Sequence, residues 1–193
     1  MAQRLWFQQS VEGLFLRGMG DCMTPEFKAA LKTAGIDLDT LLPGYDAEVM
    51  VRCVRLAAKH LGTVGTPSDA LREVGRRFMN GYRETLVGGA MVAVMGVLST
   101  ERVLRRMERN FRSGGNYIET KYTLVRPGVA ELWFNEVDGV PEFFQGILLQ
   151  GAAFNGRPDA TVTYTLGDDG HSATFRFEFG AADEVPDAPP SSP

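Results

Sequence analysis

The hydrophobic period of this chain changes from helical to alternating near residue 115, and no other feature limits its possible folds as much. Before that point apolar residues recur at helical spacing. After it, "YIETKYTLV" and "VAELWFNEV" alternate with a period of two. In a chain of 193 residues, such a switch reads as a single α+β domain over 1–180, helical over about 20–113 and sheet over about 116–179. An apolar fraction of 44% is enough for a sizeable core at this length. The closing "AADEVPDAPPSSP", residues 181–193, is Pro-rich and acidic and is expected to be disordered.

In the helical half, Thr24-Pro25 opens a helix that Gly35 closes, and Thr66-Pro67 repeats the opening signal. A further helix is expected from about Tyr45 to Leu61, and a bend near Gly81. The run "LVGGAMVAVMGVL", Leu86 to Leu98, is too short for the ~20 apolar residues of a membrane span and is expected to be a buried central helix. Ser99 should cap a last helix ending at Gly114-Gly115. Residues 4–18 read as a strand or irregular lead-in with Leu14 and Leu16 turned inward.

The second half reads as β-β-α-β-β, an antiparallel sheet of two hairpins around a helix at 142–154. "RPG" and "GDDG" supply the two turns. Alternation puts Ile118, Tyr122, Leu124, Ala130, Leu132 and Phe134 on the covered face. The second hairpin adds Ala160, Val162, Tyr164, Leu166, Ala173, Phe175, Phe177 and Phe179 to that face. The other face is polar except for Trp133, an aromatic that suits a contact site. On the 142–154 helix, Gly151 should permit close approach to the sheet. Gly146, Leu149 and Ala153 form a second apolar stripe that asks for another helix or another subunit.

Chemistry-bearing patterns are few. His60 and His171 have no partner at local spacing, and Cys22 and Cys53 are too few for a disulfide framework. No nucleophile elbow, phosphate loop or dinucleotide fingerprint is present. No catalytic residue, metal site or cofactor is therefore assigned. The sharpest charge feature is Arg102, Arg105, Arg106, Arg109 and Arg112, within about a third of one helix's circumference. From Arg72 to Arg112, nine Arg against four Glu give +5 in a chain of net −4. Glu101–Arg105 and Glu108–Arg112 can pair along the helix. No aromatic residues interleave with the arginines, which argues against nucleic acid. The polar junction carrying Asn116 and Tyr117 either shapes a turn or lines a small pocket.

"GYRETLVGGAMVAVMGVLSTERVLRRMERNFRSGGNYIETKY" followed by "AELWFNEVDGVPEFFQGILLQGA" resembles the myxobacterial paralogous family of uncharacterised proteins of about this length. The resemblance implies a bacterial cytoplasmic protein and carries over no functional residue. The order helices, hairpin, helix, hairpin is also similar to sensor domains of the V4R and haem-NO-binding type. The Tyr-x-Ser-x-Arg haem-propionate motif of the latter is missing.

The expected function is a non-enzymatic sensor or interaction module for a small apolar ligand or a partner protein, with a homodimer as one form. The expected pocket lies between the two halves near Tyr82, Met91 and Phe144. The alternative is a scaffold whose Arg face binds an acidic partner. An enzyme of unknown class is third. Neither nucleic-acid binding nor membrane insertion is expected.

Overall fold

The computed structural model describes residues 3–62 and 65–180, excluding the Glu108 side chain. The expected disorder of 181–193 and the Glu108–Arg112 pair lie outside the described part. A short strand β1 (Leu5–Phe7) pairs antiparallel with β2 (Gly44–Asp46). After β1 the chain turns helical at once: α1 (Gln8–Val11) runs on into a π-helical stretch, Glu12–Gly18. The extended lead-in expected over 4–18 is thus three residues long. Leu14 is fully buried, whereas Leu16 points outward. The wider π turns bring Gly18 against the Arg77 backbone and Gly13 against Tyr82, where any side chain would collide.

Helices α2 (Pro25–Ala34), α3 (Ala47–Leu61) and α4 (Pro67–Tyr82) follow as expected. Thr24 caps α2 by accepting from the Phe27 N–H. Thr66 and Asp69 form a reciprocal capping box on α4. Helix α5 (Leu86–Met95) starts at a Thr85 cap, and α6 (Thr100–Arg105) and α7 (Met107–Gly114) complete the helical half. The single long Arg helix expected after Ser99 is broken at Arg106, which closes α6 and opens α7.

Helix α5 departs most from expectation. It is apolar all round, a composition typical of buried helices, yet only Gly88 and Met95 within it are buried. Leu86 is 92% and Val97 82% exposed.

The sheet has order β3-β4-β6-β5, all antiparallel: β3 (Thr120–Arg126), β4 (Val129–Phe134), β5 (Thr161–Leu166) and β6 (Ala173–Glu178). Register sets Leu132 opposite Phe175 and Tyr164 opposite Phe175, so the expected inner face is continuous across three strands. Leu124 and Leu166, at the strand ends, lie beyond the cover and are exposed. Helix α8 (Pro141–Phe154) covers the face; Phe144 meets Phe134 edge-on at 5.7 Å.

The two glycines of α8 have roles opposite to those expected. Gly146 is the close-approach residue: a Cβ there would lie 3.0 Å from Gly75 Cα and overlap the Arg72 carbonyl oxygen of α4. Gly151 faces Met95 and Met79 instead of the sheet. Of the Gly146–Leu149–Ala153 stripe, Gly146 meets α4, and Leu149 and Ala153 are half-buried.

Candidate functional site

An apolar cavity of about 40 Å³ lies where α4, α5, α7 and α8 meet. Trp6, Phe78, Tyr82 and Phe111 form its aromatic walls, and Met79, Met91, Met95 and Met107 line it together with Ile147 and Leu148. Gly151 leaves the space open, because its missing side chain would point at the Met79 and Met95 methyls. Tyr82 and Met91 therefore line one cavity. Phe144 stands behind it, in ring contact with Trp6 at 6.3 Å and Phe111 at 6.1 Å.

A second concavity adjoins the first. Val87, Met91, Val94, Leu98 and Val103 floor an open groove of about 320 Å³ between α5 and α6–α7, with Arg106 and Arg109 at its rim. Met91, Met95 and Asn110 line both spaces, so two flexible thioethers and one amide form the partition. Asn155, at the end of α8, donates to Met95 O at 2.7 Å and Leu98 O at 2.8 Å. Those bonds satisfy the Leu98 carbonyl and add a second donor to the Met95 carbonyl, which already accepts from the Leu98 N–H at 3.3 Å.

From the opposite wall, a polar relay leaves the cavity. Trp6 Nε1 donates to Tyr117 Oη at 2.6 Å, and that hydroxyl donates to Asp138. Arg4 donates to Asp138 at 2.5 Å and to Glu136 at 2.8 Å. Asp138 sits in the left-handed region, φ 51°, which aspartate tolerates. Burial raises its carboxyl above the usual range, against the pull of Tyr117 and Arg4. Burial, with Asp138 second, pushes the Tyr117 phenol upward as well. Asn116 has a structural part: it accepts from the Leu5 N–H at 2.8 Å and donates to Gln3 O at 2.9 Å, tying β1 to the junction. Sequence reasoning left Asn116 and Tyr117 between a turn and a small pocket and had no signal for the other members of the relay; neither residue lines the cavity. Trp6 is 111 residues from its acceptor, and Asp138 sits in a turn with no periodicity to read.

The other expected residues are dispersed. Trp133 is half-buried on the outer face with Lys121 Nζ 4.8 Å above its ring. Arg105, Arg106, Arg109 and Arg112 line one surface groove despite the helix break. Arg102 is exposed on α6, outside that groove's lining. Glu101 pairs with Arg105 at 2.8 Å. His60 stacks on Phe27 at 4.2 Å with Nε2 2.7 Å from Cys22 O, a packed structural position. Among the described residues no group of His, Cys, Asp or Glu could hold a metal ion. No helix of the described residues is long and apolar enough to cross a membrane.

Helical N-terminal half, four-stranded antiparallel sheet and intervening helix together define the H-NOX-like α+β class. An oxygen-binding H-NOX domain related to soluble guanylate cyclases matches with TM-score 0.69 at 16% identity, covering 92% of this chain and 98% of that one. A mutant of the T. Tengcongensis H-NOX matches at 0.65 and 16%, covering 90% and 97%. A structure concerned with haem redox potential and porphyrin distortion matches at 0.65 and 16%, covering 90% and 95%. Within that class, the chain belongs to the family described as "Protein of unknown function (DUF2378)", whose model matches residues 4–179. No curated relative matches the sequence.

Those neighbours raise the question of haem, and the residues here do not fit it. Haem iron is commonly held by His, Cys or Tyr, or by a Met with a His as the other axial ligand. Neither histidine and neither cysteine lines the cavity, and the Tyr82 hydroxyl is engaged with Ser113 Oγ at 3.1 Å. The space of about 40 Å³ is small beside the ~150 Å³ cavity that holds benzene. At the spacing of the propionate motif stand Tyr122, Leu124 and Arg126, with leucine in the serine position and none of the three on the cavity.

Proposed function

We propose that this protein is a non-enzymatic sensor that takes a small apolar organic molecule into the methionine-walled cavity. The observation that supports this reading is an apolar space where α4, α5, α7 and α8 meet, bounded by four pliable Met side chains. Ligand size follows from affinity. A two-atom gas without a covalent bond gains at most about 3 kcal/mol, at ~1.5 kcal/mol per atom, which is weaker than millimolar. A useful ligand needs several heavy atoms, hence more room than about 40 Å³. Met91 and Met95 supply it by swinging toward the groove they also line. The H-NOX neighbours, one of them described as oxygen-binding, lend the sensor class by likeness of fold.

The test is a titration of methyl-labelled protein with xenon, benzene and hexanol, following methionine resonances. Saturable shifts confined to Met79, Met91, Met95 and Met107, lost in Gly151→Leu, are expected. If none of the three probes gives saturable shifts there, the reading is wrong.

A further inference from the structure

We infer that the outer face of α5, with the groove beside it, is a docking site for an acidic amphipathic helix of a partner protein. Three observations converge on it. The exposed positions Leu86, Val87, Ala90, Ala93 and Val94 fall within about a third of the circumference of α5 and are all apolar, and exposed Val97 follows in the turn after the helix. Among the described residues nothing covers this stripe, and apolar patches of its kind mark interaction sites. The floor beside it is concave and Met-lined, a form that accepts helix side chains at i, i+3, i+4 and i+7 spacing.

Charge then selects the occupant. Arg106 and Arg109 stand on the rim, exposed, and neither meets a carboxylate among the described residues. Together with Arg105 and Arg112 they line a second groove alongside. Glutamate or aspartate flanking an apolar stripe complements that rim. A second copy of this chain packed by the same face would set arginine against arginine. An anionic bilayer suits the charge but not the shape, and the stripe has no Trp, Tyr or Phe to anchor at an interface.

Docking does not depend on the ligand reading, since the groove's floor and rim are made by side chains of α5, α6 and α7. The two share Met91 and Met95, so a molecule entering the cavity would alter the groove's floor.

The experiment uses the full chain without any apolar probe. Two helical peptides with identical leucine stripes are compared by fluorescence anisotropy, one otherwise glutamate-rich and one lysine-rich, beside phosphatidylserine–phosphatidylcholine vesicles. The glutamate peptide should bind about tenfold or more tightly than the lysine peptide. Val94→Glu and the pair Arg106→Glu/Arg109→Glu should each weaken it by about tenfold, with melting temperature unchanged because all three positions are exposed. Added salt should weaken it further. Equal binding of both peptides, no binding of either, vesicle binding in their place, or a dimer that Val94→Glu dissolves would each overturn the inference. Peptide binding without methionine shifts on probe titration would sink the ligand reading alone.

Discussion

Alanine at Gly146 and at Gly151 of α8 should act in opposite directions, although the two positions lie in the same helix five residues apart. In both, the helix gains about 0.8–1 kcal/mol of backbone propensity. At Gly151 nothing opposes the gain, because the new methyl would stop 3.5 Å from Met95 Cε and 4.0 Å from Met79 Cε, ordinary contact. At Gly146 the methyl would overlap the Arg72 carbonyl and lie 3.0 Å from Gly75 Cα. Carbon atoms prefer about 3.5–4.0 Å, and backbone on both sides cannot swing aside as a side chain can. Helices α4 and α8 must separate, and overpacking of this kind costs about 1–3 kcal/mol. The two variants should therefore differ by about 1–3 kcal/mol. That is roughly 2–12 °C in melting temperature for a domain of this size, with Gly151→Ala above the wild type and Gly146→Ala below it. Urea titration and thermal melts followed by circular dichroism measure both. If Gly146→Ala is as stable as Gly151→Ala, the close crossing of α4 and α8 is not as described.

Further consequences follow from single contacts. Asn155→Ala should cost about 1–3 kcal/mol and speed amide exchange in α5, because the Leu98 carbonyl loses its side-chain donor and the Met95 carbonyl keeps only the Leu98 N–H; unchanged exchange in α5 would count against that tether. Tyr117→Phe should destabilise by a similar ~1–3 kcal/mol and shift Trp6 fluorescence, since the indole N–H loses its acceptor at 2.6 Å. The Thr66 backbone N–H, the Thr66 hydroxyl and Arg72 hold Asp69 down to about 2. Its stabilisation is therefore complete above the ordinary aspartate range near 3.9 and fades as pH falls toward about 2. The stability gap between wild type and Asp69→Asn should close over that interval, and a gap that stays constant would contradict it. Burial pushes the Cys53 thiol up to about 12, so in the native protein at pH 8 a thiol reagent should label Cys22 and leave Cys53 intact.

The helices' starting points were legible because each rests on neighbours in sequence. Thr24-Pro25, Thr66-Pro67 and Ser99 all cap where their residue types require. The period of two in the second half likewise settled which face of the sheet is covered, and Phe134, Phe175 and Phe177 are buried as the alternation demands. Polarity counts could not rank apolar faces against each other. Helix α5 has no polar side, so its sequence reads as core, and only the absence of a neighbouring element among the described residues leaves Leu86 and Val97 in water. The glycines of α8 illustrate the same limit, since a missing side chain has no periodicity to read and its role depends on what stands opposite.

What the sequence determined alone is the α+β class, the order of its elements and the inner face of its sheet, because capping and alternation are local rules. Tertiary structure decided the rest. It brought Trp6 to Tyr117 across 111 residues, left Met91 and Met95 as a shared wall between cavity and groove, and gathered Arg106 and Arg109 beside an uncovered helix. Those placements depend on how closely backbones approach at Gly75 and Gly146, a distance that no run of residues encodes locally.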